Sequence, residues 1–230
     1  MSDHRHPLSI DRVPDWGDRL RRGAAAMGTQ LDGRAIDRFD AFARMLQSWG
    51  TRLNLSSRLD ADELIPLHLL DSLALPAVLP IPAGDDLLDL GSGAGIPGIP
   101  LAIARLDLRI TLLEPRARRA VFLREVAHRL QLQSVSVVQA RAEEISADPA
   151  HAGRHDWVTS RAVAPIPEVV AMTAPLVPPG GRLVIFLGPD EEPAGNPHFS
   201  LEAIRVTPVP GKAAPRSLAI FCRTERLHNG

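Results

Sequence analysis

Leu87-Leu88-Asp89-Leu90-Gly91-Ser92-Gly93-Ala94-Gly95-Ile96-Pro97-Gly98 joins a short apolar run to a glycine-rich turn and then to the opening of a helix. Glycine at alternate positions lets the main chain turn tightly and lets a ligand approach without meeting a Cβ. Pro97 suits the first turn of the helix that follows, where a missing N–H is not needed. The N–H groups of that helix end, at the positive end of its dipole, are expected to seat a carboxylate or a phosphate. The stretch therefore predicts a strand–turn–helix unit that presents main chain to a polar ligand.

Further along the chain the same rhythm repeats. Leu87–Leu90, Arg109–Leu113, Val135–Gln139, Trp157–Ser160 and Leu183–Leu187 read as strands, with Ile99–Arg105, Ala117–Leu130 and Ile166–Leu176 as helices between them. This alternation predicts a parallel, doubly wound sheet. Ala203–Val209 and Ser217–Arg223 have no helix-length segment between them and suit an antiparallel hairpin at the sheet edge. Upstream, Ile36, Phe39, Ala43 and Leu46 recur at three- and four-residue spacing, as an amphipathic helix requires. Residues 1–30 are expected to be part helix and part mobile arm. Asn54-Leu55-Ser56-Ser57 reads as a turn, and Ser57 or Asp60 as the cap of a helix reaching about Leu75, before Pro76, Pro80 and Pro82 break the chain. The expected organisation is a helical cap over residues 1–82 and one α/β domain over residues 83–230.

The glycine turn satisfies two templates. Gly93-Ala94-Gly95-Ile96-Pro97-Gly98 fits the dinucleotide pattern G-x-G-x-x-G, whereas Asp89 followed by Gly91, Gly93 and Gly95 fits the form used by methyltransferases to bind S-adenosyl-L-methionine. Glu114, at the end of the second strand, can accept the hydroxyls of a ribose in either case. Arg141-Ala142-Glu143-Glu144 follows the third strand, where methyltransferases hold an adenine edge and dinucleotide enzymes have less need of a polar group. That favours a Rossmann-like, class I S-adenosylmethionine-dependent methyltransferase.

Composition narrows the substrate. The chain has 230 residues, one cysteine, no tyrosine and a net charge of −1. A lone Cys222 permits no intrachain disulfide, and the polar N-terminus leads into no signal-like apolar block; both fit a cytoplasmic protein. No apolar run reaches membrane-spanning length, so no membrane partner is expected. The near-neutral charge speaks against a strongly basic nucleic-acid binder. Arg116, Arg118, Arg119, Arg124 and Arg129 are nevertheless concentrated in one stretch, either an RNA phosphate patch or a solvated helix face. An aromatic content of 4% argues against a broad base-stacking platform. His151 and His155 lack a third ligand, so no metal is expected.

The chemistry is restricted further. Methylation of pyrimidine C5 needs a cysteine in the central loops, and Cys222 lies in the expected last strand. Exocyclic-amine methylation goes with an Asn/Asp-Pro-Pro-aromatic segment after the fourth strand, where this chain has Ser160-Arg161-Ala162-Val163. A guanine N7, whose lone pair needs no deprotonation, fits best, because the protein must then mainly align it. Arg161 is placed to contact guanine O6 or a phosphate, the alternative being a structural pair with Asp156 or Glu143. His68 and Asp71, three apart on one helix face, are candidates for docking the cap on the sheet or for substrate contact.

Five segments occur in order: Leu67-His68-Leu69-Leu70-Asp71-Ser72-Leu73, the run from Leu88 to Ile103, Arg118-Arg119-Ala120-Val121-Phe122-Leu123, Arg141-Ala142-Glu143-Glu144 and Ser160-Arg161-Ala162-Val163-Ala164. From about Gly33 to Leu187 the chain closely resembles the bacterial small-subunit ribosomal RNA guanine-N7 methyltransferases, the RsmG (GidB) family. The resemblance implies N7 methylation of a guanine in the 530 loop of 16S rRNA, with S-adenosyl-L-methionine as methyl donor. Of naked RNA, the 30S subunit and an assembly intermediate, the near-neutral net charge points to a folded particle as the substrate form. It implies cofactor contacts at Gly91, Ile96, Ala142, Glu143 and Arg161. The chain departs from the pattern at Ile96, usually phenylalanine, at Gly50, usually asparagine, and at Leu187-Gly188, where many members have Lys-Gly. Two other classes remain open on sequence grounds: a methyltransferase for a small molecule or a protein, and a noncatalytic nucleotide-binding ribosome-assembly protein.

Overall fold

Seven strands form one sheet in the order β3-β2-β1-β4-β5-β7-β6, seen in a computed structural model that describes residues 13–50, 61–189 and 191–224. The strands are β1 (Asp86–Leu90), β2 (Arg109–Leu113), β3 (Val135–Val138), β4 (Trp157–Arg161), β5 (Arg182–Phe186), β6 (Phe199–Thr207) and β7 (Arg216–Arg223). The first five are parallel, and β7 runs antiparallel between β5 and β6. The helices are α1 (Trp16–Ala26), α2 (Gly33–Trp49), α3 (Ala61–Leu64), α4 (Ala74–Val78), α5 (Gly98–Ala104), α6 (Ala117–Arg129), α7 (Ala142–Ser146) and α8 (Ile166–Thr173), with a π-helical turn at Ile65–Leu70.

Both faces of the sheet are covered, and β1, β4 and β5 are accordingly buried at every position but one each. Strand alternation sends Leu87, Ile110, Leu112, Val184 and Ile220 to one face. There they share a core with Leu20 of α1, Phe39, Phe42 and Leu46 of α2, Ile99 and Ile103 of α5, and Phe122 and Leu123 of α6. Leu88, Leu90, Leu113, Val158 and Ile185 face the other way, against Ala142 and Ile145 of α7 and Val169 and Val170 of α8. Helix α2 begins where Asp32 accepts the Ala35 amide at 2.7 Å, an N-cap bond, and its expected Ile36/Phe39/Ala43/Leu46 stripe packs on this core.

The structure corrects the reading at several boundaries. The helix expected to reach Leu75 is instead α3, the π-helical turn and a separate α4. Pro76 does not break the chain there: it lies in the first turn of α4, where no amide is required of it. Strand β6 starts at Phe199, earlier than expected, with a register shift between Leu201 and Ala203 that obscures the alternation. The hairpin of β6 and β7 is present, but β7 lies inside the sheet and only β6 forms its edge. The expected turn at Asn54–Ser57, the caps at Ser57 or Asp60 and the first twelve residues lie outside the described residues. No helix of the described residues is long and apolar enough to cross a membrane.

Candidate cofactor and substrate site

Parallel strands put the ends of β1, β2, β4 and β5 on one rim of the sheet, and the expected site residues gather there. Gly91, Gly93 and Gly95 all adopt positive φ, which carries the chain from β1 into α5 within a few residues. A Cβ on Gly98 would stand 2.3 Å from Leu112 Cδ2 and 2.6 Å from Asp89 Oδ2, so glycine alone allows α5 to lie this close to the sheet. At Gly93 a Cβ would instead stand clear, 3.7 Å from the nearest atoms, Arg119 Nη1 and Gly91 O. That side of the turn is open to a ligand.

Hydrogen bonding within the turn overturns one expectation. The Gly98 amide donates to Asp89 Oδ2 at 3.1 Å, Ile99 to Gly95 O at 2.7 Å and Leu101 to Pro97 O at 3.1 Å, while Pro97 and Pro100 have no amide. The carboxylate seated at the start of α5 is therefore Asp89 itself, and no helix-end amide remains for a ligand anion. Ser92 N donates to Leu113 O, Gly95 N and Ile96 N to Ser92 O, and Gly93 N to Glu114 Oε2 at 2.9 Å. What the turn has left is chiefly carbonyl oxygens. Carbonyls suit a cationic sulfonium or ammonium group better than a pyrophosphate, which favours the methyltransferase form of the two templates.

Asp89 is buried, and its Oδ1 has no hydrogen-bond partner. Burial pushes its carboxyl up to about 7, against the opposing pull of Ser92, the Gly98 amide and Arg161. Glu114 is 3% exposed and ties the end of β2 to two neighbours, the Gly93 amide through Oε2 and the Arg116 amide through Oε1 at 2.8 Å. Each oxygen keeps a second acceptor position. Ala142 is buried at the start of α7 and Glu143 is exposed beside it; Glu144 Oε2 accepts the Arg141 amide at 2.8 Å. Ile96 is half-buried against the core.

Arg161, the last residue of β4, pairs with neither Asp156 nor Glu143. Its Nη2 donates to Leu67 O at 3.0 Å and its Nη1 lies 3.4 Å from Asp71 Oδ2. Asp71 is fully buried and also binds Lys212 Nζ at 2.7 Å and the Arg216 guanidinium at 2.8 Å through both oxygens. Burial alone would raise the Asp71 carboxyl, but Arg216, Arg161 and Lys212 outweigh it and hold it below the usual carboxylate value. Asp71 thus fastens the helical segment to β4 and to the β6–β7 hairpin. Sequence reasoning missed Lys212 and Arg216; the one available signal was that Lys212 is the only lysine in the chain.

On α6 and its N-terminal flank Arg116, Arg118 and Arg124 are exposed and Arg119 is half-buried near the turn. His151 and His155 stack, with His151 Nδ1 and His155 Nε2 3.3 Å apart. Among the described residues no group of three His, Cys, Asp or Glu side chains is arranged to hold a metal.

The parallel five-strand sheet with an antiparallel β7 inserted before the edge, and a glycine turn closing on an acidic residue at the end of β2, define the class I methyltransferase fold. Solved structures agree on the fold: a mutant of MtNAS in complex with S-adenosylmethionine superposes with a TM-score of 0.55 at 12% identity, covering 92% of this chain and 99% of that one. A family model described as GidB, rRNA small subunit methyltransferase G, matches residues 35–212. Proteins named ribosomal RNA small subunit methyltransferase G are similar over nearly the whole chain. That of Neisseria gonorrhoeae is 39% identical, covering 90% of this chain and 98% of the relative. That of Stenotrophomonas maltophilia is 37% identical, covering 95% and 97%, and that of Roseiflexus sp. strain RS-1 is 37% identical, covering 90% and 91%. The chain belongs to the GidB family of small-subunit rRNA methyltransferases.

Proposed function

We propose that this chain transfers a methyl group from S-adenosyl-L-methionine to N7 of a guanine in the 530 loop of 16S rRNA, in the cytoplasm, acting on the 30S subunit or an assembly intermediate. The observation that carries the reading is the convergence, in a member of this family, of a carbonyl-rich glycine turn with Glu114 and Arg161 on one rim of the sheet. The residues fit the cofactor. Gly93 leaves space where a side chain would stand, and Glu114 has acceptor positions to spare.

In this proposal Gly91, Gly93, Gly95 and Ile96 line the methionine end and Asp89 braces the turn beneath it. Glu114 accepts the ribose hydroxyls, and Ala142 with Glu143 borders the adenine. Arg161 and the arginines at 116, 118, 119 and 124 hold RNA. Bound S-adenosylmethionine supplies an electrophilic methyl group on a sulfonium. Guanine N7 takes that methyl with its own lone pair and loses no proton, so the chain needs no general base. Its task is alignment, which supplies roughly 7–11 kcal/mol in well-oriented systems. Arg161 serves best at O6 or a phosphate, since a donor on N7 would occupy the attacking pair.

The test is transfer of labelled methyl to undermethylated 30S subunits and to protein-free 16S rRNA, with the modified base mapped. A 7-methylguanine in the 530 loop is expected. Cofactor binding without transfer to either RNA would point to a different acceptor and sink the proposal.

A further inference from the structure

Asp71 stands among more positive charge than it balances. Arg161, Lys212 and Arg216 all converge on its carboxylate, and their side chains are only 21%, 16% and 14% exposed. Three cations on one carboxylate leave two positive charges in excess. Asp89, the other carboxylate acting on Arg161, reduces the excess to one when it is ionised. Half-buried like charges repel with little water between them, so a further anion stabilises the group. Donors remain for it: an ammonium carries three N–H groups and Lys212 spends one on Asp71, while the buried Arg161 Nη1 makes no hydrogen bond.

Position selects the anion. Arg161 ends β4, Arg216 opens β7, and Arg216 Nη1 donates to Leu187 O just past β5 at 2.7 Å. The glycine turn, Glu114 and α7 lie towards the β1–β2–β3 side of the sheet. Strand β7 is three strands from β1, roughly 14 Å at about 4.8 Å per strand. A molecule that reaches both the turn and the loop carrying Lys212 must therefore extend along the rim, past Arg161 at the end of β4. Pro210 and Gly211, next to Lys212, also wall a cleft of about 350 Å³ whose other side carries Arg19 and Arg22 of α1. A chain of regularly repeated negative charges suits that course.

We propose that Lys212, Arg216 and Arg161 form a seat for one phosphodiester of the substrate RNA, with Asp71 holding the three cations in register. The inference rests on the RNA-methylation reading above. Asp71 supplies the fixed frame, and Lys212, on the loop between β6 and β7, reaches from it to the phosphate.

The test compares the full-length wild type, Lys212→Gln and Lys212→Arg with undermethylated 30S subunits as substrate. Lys212→Gln should raise KM for subunits roughly tenfold and make the log–log salt dependence shallower by about 0.7, the contribution of one single-strand phosphate contact. Lys212→Arg should restore both, and calorimetric affinity for S-adenosylmethionine should stay constant throughout. Wild-type KM and salt slope in Lys212→Gln overturn the seat. Weakened cofactor binding with an unchanged slope overturns it as well, assigning the cluster to the methionine carboxylate. If the wild type itself transfers no methyl to the subunits, the RNA reading falls and takes the seat with it. Should Lys212→Gln fail to fold, acetylation of the wild-type protein by an amine-selective ester reports on the only lysine. Added 16S rRNA should slow Lys212 acetylation about threefold or more relative to the N-terminal amine; an unchanged rate refutes the seat.

Discussion

Replacing Glu114 by glutamine is a demanding test, because the change is nearly isosteric yet should be costly. Both carboxylate oxygens accept main-chain amides, from Gly93 at 2.9 Å and Arg116 at 2.8 Å, on a side chain that is 3% exposed. Glutamine keeps one acceptor oxygen and turns an –NH₂ group on the other amide, donor facing donor. A hydrogen bond to a charged group contributes about 1.5–3 kcal/mol. In a chain of this size each kcal/mol moves Tm by about 2–4 °C, so the cofactor-free variant should melt about 3–12 °C lower. If the remaining acceptor positions also hold the ribose, S-adenosylmethionine binding should weaken by about 10–150-fold. Calorimetric melting without cofactor and titration with cofactor separate the two effects. An unchanged Tm refutes the bracing role, and a lowered Tm with unchanged Kd refutes the ribose contact.

Other perturbations reach other parts of the molecule. Asp71→Ala leaves three cations around an empty site and should cost about 3–5 kcal/mol in denaturant unfolding; a loss below 1 kcal/mol would show the clamp to be slack. The Asp71 carboxyl is held below its ordinary value of 3.8, so its contribution is full above that value and is lost as pH falls through the lower folded one. Asp89 has the opposite sign: its folded carboxyl sits at about 7. The stability linked to it is present below pH 4 and lost as pH rises through 7, on the order of a few kcal/mol. Asp89→Asn should therefore gain on the wild type between pH 5 and 8, and parallel stability profiles would refute the shift. His155 is pushed down to about 4 by burial and by His151, so its contribution is present above the ordinary value of 6.5 and fades as pH falls towards 4. His155→Gln should flatten the fall in Tm between those values, and an unaltered slope would exclude His155 as its cause.

Local patterns were the legible part of this sequence. The β1–turn–α5 unit, the order of strands and helices and the α2 stripe all follow from residues close together in the chain, where periodicity and turn chemistry act. The capture of the α5 amides was not legible, because sequence shows that a helix end is present and not that Asp89, nine residues before Gly98, already occupies it. The clamp was still less so. Asp71 and Arg216 are 145 positions apart, and no spacing rule relates them. The sequence offered Asp156 and Glu143 as partners for Arg161, but Asp156 accepts the Asp86 amide at 3.0 Å and Glu143 is exposed on α7. By residue type alone Pro76 is a breaker; its place in the first turn of a helix depends on where the preceding π-helical turn ends, which no local pattern reports.

The interior position of β7 bears on how the molecule is made. Synthesis proceeds from the N-terminus, so β5 and the Asp71 side chain emerge well before Arg216 and the strand it opens. Until about residue 223 has left the exit tunnel, the main-chain groups of β5 that face β7 have no partner, and Asp71 has only Arg161 and then Lys212 for company. The nascent polypeptide therefore cannot lock its helical segment against the β6–β7 hairpin until β7 has emerged. Ribosome-bound chains stopped short of Arg216 should remain open to proteolysis along β5, whereas chains extended past the hairpin should not.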